Sequence, residues 1–126
     1  MAAIRRILIV DDEEDIREVA QVCLELVGGY EVLTASSGRD GLERARASQP
    51  DAILLDVMMP GMDGPATLVE LRADPATRNI PVVFLTAKTQ ISDRQQLGKL
   101  GAAGVLTKPF DPLKLAADVA AVLNWN

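Results

Sequence analysis

The chain has 126 residues, of which 48% are apolar and 25% charged, a balance that buries a core and excludes disorder. Its net charge of −5 argues against direct nucleic-acid binding, its single cysteine rules out an internal disulfide, and the lack of histidine excludes Ser-His, Cys-His and His-ligated metal chemistry. No apolar run is long enough to cross a bilayer and no leader pattern opens the chain, so the expectation is one domain over 1–126, cytoplasmic and without membrane insertion.

Residues 4–10 read as a strand, with Ile7, Leu8, Ile9 and Val10 as its buried part. Five acids follow, Asp11 to Asp15. Ile16, Val19, Ala20, Cys23, Leu24, Leu26 and Val27 then recur at helical spacing as an inward stripe, which Gly28 and Gly29 end. Residues 30–35 form a second strand. Ser37 and Asp40 match a capping box and open a helix to about Ser48.

Residues 51–57 form the third strand. Its run Ala52-Ile53-Leu54-Leu55 does not alternate, as expected of a strand covered on both faces. Asp63-Gly64-Pro65 caps and starts a third helix with Leu68 and Leu71 inward, and Asp74-Pro75 ends it. Residues 81–86 make the fourth strand. A polar helix over about 92–100 stops near Gly101, and 104–107 make a short fifth strand. Asp111-Pro112 opens the last helix, which runs to about Leu123 with Leu115, Val119 and Val122 or Leu123 inward. Strand and helix alternate throughout. That order implies a doubly wound α/β fold: a five-stranded parallel sheet with helices on both faces.

The special residues fall at strand ends. Asp11 and Asp12 follow the first strand, Asp56 ends the third, Thr86 the fourth, and Lys108 follows the fifth. In a doubly wound sheet these ends share one edge. If the first and third strands are neighbours, three carboxylates converge, and their mutual repulsion is relieved by a hard cation such as Mg²⁺. Acid is concentrated in this half: residues 1–63 hold 13 acids and 6 bases, against 5 and 7 in residues 64–126. Lys108 and Thr86 offer an ammonium and a hydroxyl to a phosphoryl group across the crevice. A carboxylate is ionised at neutral pH, so Asp56 can act as a nucleophile without a general base.

The ordered set Asp11-Asp12, Asp56, Met59-Pro60-Gly61-Met62-Asp63-Gly64, Thr86-Ala87 and Lys108-Pro109-Phe110 resembles the receiver domain of two-component response regulators, of the single-domain chemotaxis-regulator kind, over nearly the whole chain. The resemblance implies a flavodoxin-like sheet of strand order 2-1-3-4-5 with five helices. It makes Asp56 the phosphoacceptor and Thr86 the hydroxyl that moves towards the phosphate. Lys108 becomes its cationic partner. It gives Asp12, Asp56 and the Met58 backbone carbonyl to Mg²⁺, with Asp11 acting through a metal-bound water. It further implies a cis bond before Pro109. The donor would be a histidine kinase or a histidine phosphotransfer protein, docking near the first helix (Asp15, Glu18, Glu25) and the Pro109–Asp111 loop. A homodimer through the fourth helix, fifth strand and fifth helix is the family's further option.

Two features qualify the resemblance. Many receivers carry a tyrosine or phenylalanine three residues before the lysine, and Val105 stands there instead. Met58 and Lys88, two residues after Asp56 and Thr86, are expected to flank the path of a water attacking the phosphoryl group and to slow its loss. Two other functions compete. An aspartate-nucleophile phosphohydrolase typically carries a second aspartate where Met58 stands, and a flavodoxin-like nucleotide site would not put five acids at the first strand's end. Cys23 reads as plain core, and Trp125 as either a packed end or part of a partner surface.

Overall fold

The computed structural model describes residues 4–87 and 91–125, the side chains of 91–94 excepted. Five strands and five helices alternate: β1 (Arg6–Val10), α1 (Glu14–Leu26), β2 (Glu31–Ala35), α2 (Gly38–Ser48), β3 (Ala52–Asp56), α3 (Gly64–Ala73), β4 (Val82–Thr86), α4 (Ile91–Lys99), β5 (Gly104–Thr107) and α5 (Leu115–Leu123). All four strand pairings are parallel, in the order β2-β1-β3-β4-β5. The fold is the expected flavodoxin-like one, and β1 and β3 are neighbours.

The central strands carry unbroken apolar runs, Ile7–Val10, Ala52–Leu55 and Val82–Leu85, because both of their faces are covered. Successive side chains point to opposite faces and feed two cores. Leu8, Val10, Ile53, Leu55, Val82 and Phe84 meet Leu68, Leu71 and Leu97 on one side. Ile7, Ile9, Leu54, Val83 and Leu85 meet Ala20, Leu24, Leu115 and Val119 on the other. The α2, α3 and α4 helices therefore cover one face, while α1 and α5 cover the second.

The helix starts follow their caps. Ser37 Oγ accepts from the Asp40 N–H at 3.1 Å, while Asp40's own carboxylate takes Arg44 rather than closing the box. Asp63 Oδ1 accepts from the Ala66 N–H at 2.9 Å and starts α3. Two expectations need correction. The inward stripe of α1 is narrower than its apolar residues suggest: Val19, Leu26 and Val27 are exposed and Cys23 is half-buried, because only Ala20 and Leu24 are fully buried, with Ile16 partly buried against the same core. Asp111 does not cap α5 directly. Its carboxylate accepts from the Leu113 N–H at 2.9 Å in a turn, and α5 begins at Leu115. Trp125 is packed, edge-on to Tyr30 at 5.6 Å between centroids and under the Arg5 guanidinium at 4.4 Å.

Candidate functional site

Strand register carries the site residues to one edge. Val10 pairs with Leu55, so the residues just beyond them, Asp11 and Asp56, lie side by side. Asp56 pairs with Leu85, and Thr86, one step further along β4, pairs with Thr107. The backbone fixes these ends: the Asp11 N–H donates to the Ala35 carbonyl at 3.1 Å, Val57 N–H to Leu85 at 3.1 Å, and Lys108 N–H to Thr86 at 2.8 Å. Arg17 donates to the Asp11 carbonyl at 2.7 Å and ties α1 to the same corner. The Lys108–Pro109 bond is cis.

Asp11, Asp56 and Thr86 are buried, whereas Asp12 is exposed at the mouth. The Lys108 ammonium enters between the acids, with Nζ 2.8 Å from Asp11 Oδ2, 3.2 Å from Asp56 Oδ1 and 3.5 Å from Glu13 Oε1. Asp11 Oδ1 accepts from the Glu13 N–H at 2.9 Å. Its Oδ2 is buried and lacks a well-aligned hydrogen bond, despite the close ammonium. One carboxylate oxygen from each of Asp11, Asp12, Glu13 and Asp56 lies within 4.8 Å of the others. A buried oxygen with spare lone-pair capacity among such acids suits a hard, oxygen-seeking cation.

The electrostatics fit the same picture. Burial, and then the charge of Asp11, push the Asp56 carboxyl up to about 6, against the pull of Lys108 and of the Met58 N–H on its carboxylate. Burial works to lower the Lys108 pKa, but contact with Asp11 and the charge of Asp56 outweigh it and hold the ammonium above the ordinary lysine range. The ammonium therefore stays charged at neutral pH and offsets only part of the acid around it.

The structure thus brings together Asp11, Asp12, Asp56 and Lys108, with Thr86 buried at the neighbouring strand end. Met58 presents its N–H to Asp56 and its side chain to solvent, with 66% of the residue exposed. Lys88 lies outside the described residues. Glu13 was missed as a distinct site residue. The signal for it was present in the run of five acids, but the run alone does not say which acid turns back towards Lys108. Glu13 is the N-cap of α1, yet its side chain makes no capping bond there.

A doubly wound sheet with an acid-and-lysine crevice at its carboxyl edge defines a class of signalling domains as well as a fold. Residues 7–120 match the family described as the response regulator receiver domain, and the chain belongs to that family. It is 42% identical over 120 residues to the alkaline phosphatase synthesis transcriptional regulatory protein PhoP of Bacillus subtilis, covering 95% of this chain and 49% of that protein. It is 47% identical over 123 residues to the response regulator PleD of Caulobacter vibrioides, covering 96% of this chain and 26% of that protein. Among solved structures, the chemotaxis response regulator CheY4 of Vibrio cholerae superposes with a TM-score of 0.88 at 34% identity, covering 95% of this chain and 99% of that one. The chain spans half or less of the length of the curated relatives named here. Among the described residues no helix is long and apolar enough to cross a membrane.

Proposed function

We propose that this receiver domain is a switch thrown by phosphorylation of Asp56. The observation that carries the reading is the Lys108 ammonium held between Asp11 Oδ2 at 2.8 Å and Asp56 Oδ1 at 3.2 Å. A cation fixed beside a buried carboxylate stabilises the charge that builds on an incoming phosphoryl group. The donor is the phosphoimidazole of a histidine kinase or a histidine phosphotransfer protein. An Asp56 carboxylate oxygen forms the new O–P bond as the donor's P–N bond breaks. The imidazole leaves with that electron pair and is protonated by solvent. Thr86, buried at the end of β4, supplies a hydroxyl to the phosphoryl oxygens.

Asp12 and Asp56, with the Met58 carbonyl, would hold Mg²⁺, and Asp11 would act through a bound water. When bound, the cation neutralises charge on the phosphoryl oxygens and on the acids around them. The rest falls to the chain's own groups: Lys108 offsets Asp11 and Asp56, and Asp11 keeps Lys108 charged and aimed. The phosphorylated form changes the affinity of the domain for a protein partner, and such a switch works in the cytoplasm. Dimerisation through α4, β5 and α5 belongs to the same proposal.

The test is the intact mass after incubation with Mg²⁺ and a small phosphodonor. One added phosphoryl group, lost in Asp56→Asn, is the expected result. Steady release of phosphate without an adduct would replace this reading with a phosphohydrolase, for which Met58 stands in the place of the usual second acid.

A further inference from the structure

Glu13 lies outside the phosphoacceptor and metal roles assigned above, yet it touches Lys108, the cation that would meet the incoming phosphoryl group. Its Oε1 is 3.5 Å from Lys108 Nζ. The other two carboxylates on that ammonium are buried, with side chains only 1% exposed for Asp11 and 4% for Asp56, whereas Glu13 is 62% exposed. Asp11 and Asp56 cannot leave Lys108 without stranding a buried charge. Glu13 can, because water takes over its solvation.

We infer that Glu13 is a specificity-determining residue that discriminates phosphodonors by charge at the mouth of the site. The proposal rests on the reading of Asp56 as phosphoacceptor. An arriving phosphoryl group must take Lys108 from Glu13 and pass a fixed negative charge on the way. Both effects grow with the negative charge of the donor. A donor bearing extra negative charge is held back, while one that carries compensating positive charge is admitted more freely.

Acetyl phosphate and phosphoramidate separate the effect. The first is close to a dianion at neutral pH, and the protonated nitrogen of the second cancels one charge. With acetyl phosphate, Asp56 forms its O–P bond as acetate leaves with the electrons of the broken P–O bond. With phosphoramidate, the broken bond is P–N and ammonia leaves. Rate constants for adduct formation are measured by intact mass at saturating Mg²⁺ in wild type, Glu13→Gln and Glu13→Ala. Glu43→Gln, an exposed substitution on α2, controls for net charge.

Both Glu13 variants should raise the acetyl phosphate rate constant about 3-fold, the size set by one exposed charge near an incoming anion. The phosphoramidate rate should rise less, and Glu43→Gln should move neither. Added salt should speed the wild-type reaction with acetyl phosphate more than that of Glu13→Gln. An unchanged ratio of the two rates, with or without an equal rise in both, overturns the inference. A higher Mg²⁺ requirement with an unchanged ratio also overturns it and gives Glu13 to the metal. If wild type forms no adduct with either donor, the phosphoacceptor reading falls first and this inference with it.

Discussion

Asp11 Oδ2 and Lys108 Nζ stand 2.8 Å apart, closer than Lys108 stands to Asp56 at 3.2 Å. The ammonium is therefore shared, and its nearer partner is Asp11 rather than the proposed phosphoacceptor Asp56. Burial and the neighbouring Asp11 charge push the Asp56 carboxyl up to about 6, and the shared ammonium offsets them only in part.

That shift makes the ionised Asp56 a burden on the fold. Between pH 3.8 and about 6 the folded state holds the Asp56 proton more tightly than the unfolded chain does, so stability from this group is lost as pH rises through that window. Without divalent cation, Asp56→Asn should be more stable than wild type at neutral pH, and the gap should close as the pH falls towards about 4. Mg²⁺ should narrow the neutral-pH gap by stabilising wild type. Urea unfolding of both proteins across pH, with chelator and with Mg²⁺, measures this. A gap independent of pH would contradict the assigned environment of Asp56.

Lys108→Met tests the other partner. It removes the ammonium from between two buried acids and leaves both without a counter-charge. The expected loss at neutral pH in chelator is about 3 kcal/mol, the scale for breaking one side of a buried pair. The loss should shrink at lower pH, where Asp56 takes up a proton, and the rate of phosphoryl adduct formation should fall. Chemical denaturation and intact mass give the two readouts. Wild-type stability in chelator would mean that Lys108 is solvated rather than engaged.

Much of this arrangement was legible in the sequence because strand ends are easy to read. The unalternating runs Ile7–Val10 and Ala52–Leu55 ended directly in acids, and topology placed those acids together. Two local features were not legible. Helical spacing gave α1 a wide apolar stripe, but the sheet accepts only Ala20 and Leu24 fully, leaving Val19 and Leu26 in solvent. The part Glu13 plays depends on a side chain turning away from its own helix terminus towards a residue 95 positions later, and no local pattern encodes that direction.

Gly64 ties α3 to the strand that bears Asp56. Its N–H donates to the Val57 carbonyl at 2.9 Å, and a Cβ there would lie 2.5 Å from the Asp56 carbonyl oxygen and 2.8 Å from Val57 Cα. Both contacts are backbone and cannot swing aside. Gly64→Ala should cost about 2 kcal/mol of stability by overpacking and should slow adduct formation by shifting the end of β3. Equal stability to wild type would show that the loop yields without cost.

Val105 pairs with Phe84 in the sheet and packs half-buried against that core. A valine cannot exchange a large ring between buried and exposed positions, so β5 should report phosphorylation weakly. Val105→Tyr should enlarge the phosphorylation-linked change in hydrogen exchange along the backbone of α4. Identical changes in the two proteins would show that the side chain here does not limit the response.

Met58 joins Asp56 to its solvent approach. Its N–H holds the Asp56 carboxylate while its side chain projects outward with 66% of the residue exposed. With Asp56 as the proposed phosphoacceptor, a flexible apolar side chain at this place should obstruct an attacking water without offering it a base. Met58→Ala should therefore shorten the half-life of the adduct about 3-fold, equivalent to ~0.7 kcal/mol of barrier. Adduct decay followed by intact mass after removal of the donor provides the measurement. A half-life within error of wild type would assign the obstruction to other groups around Asp56 and leave Met58 only its backbone contact.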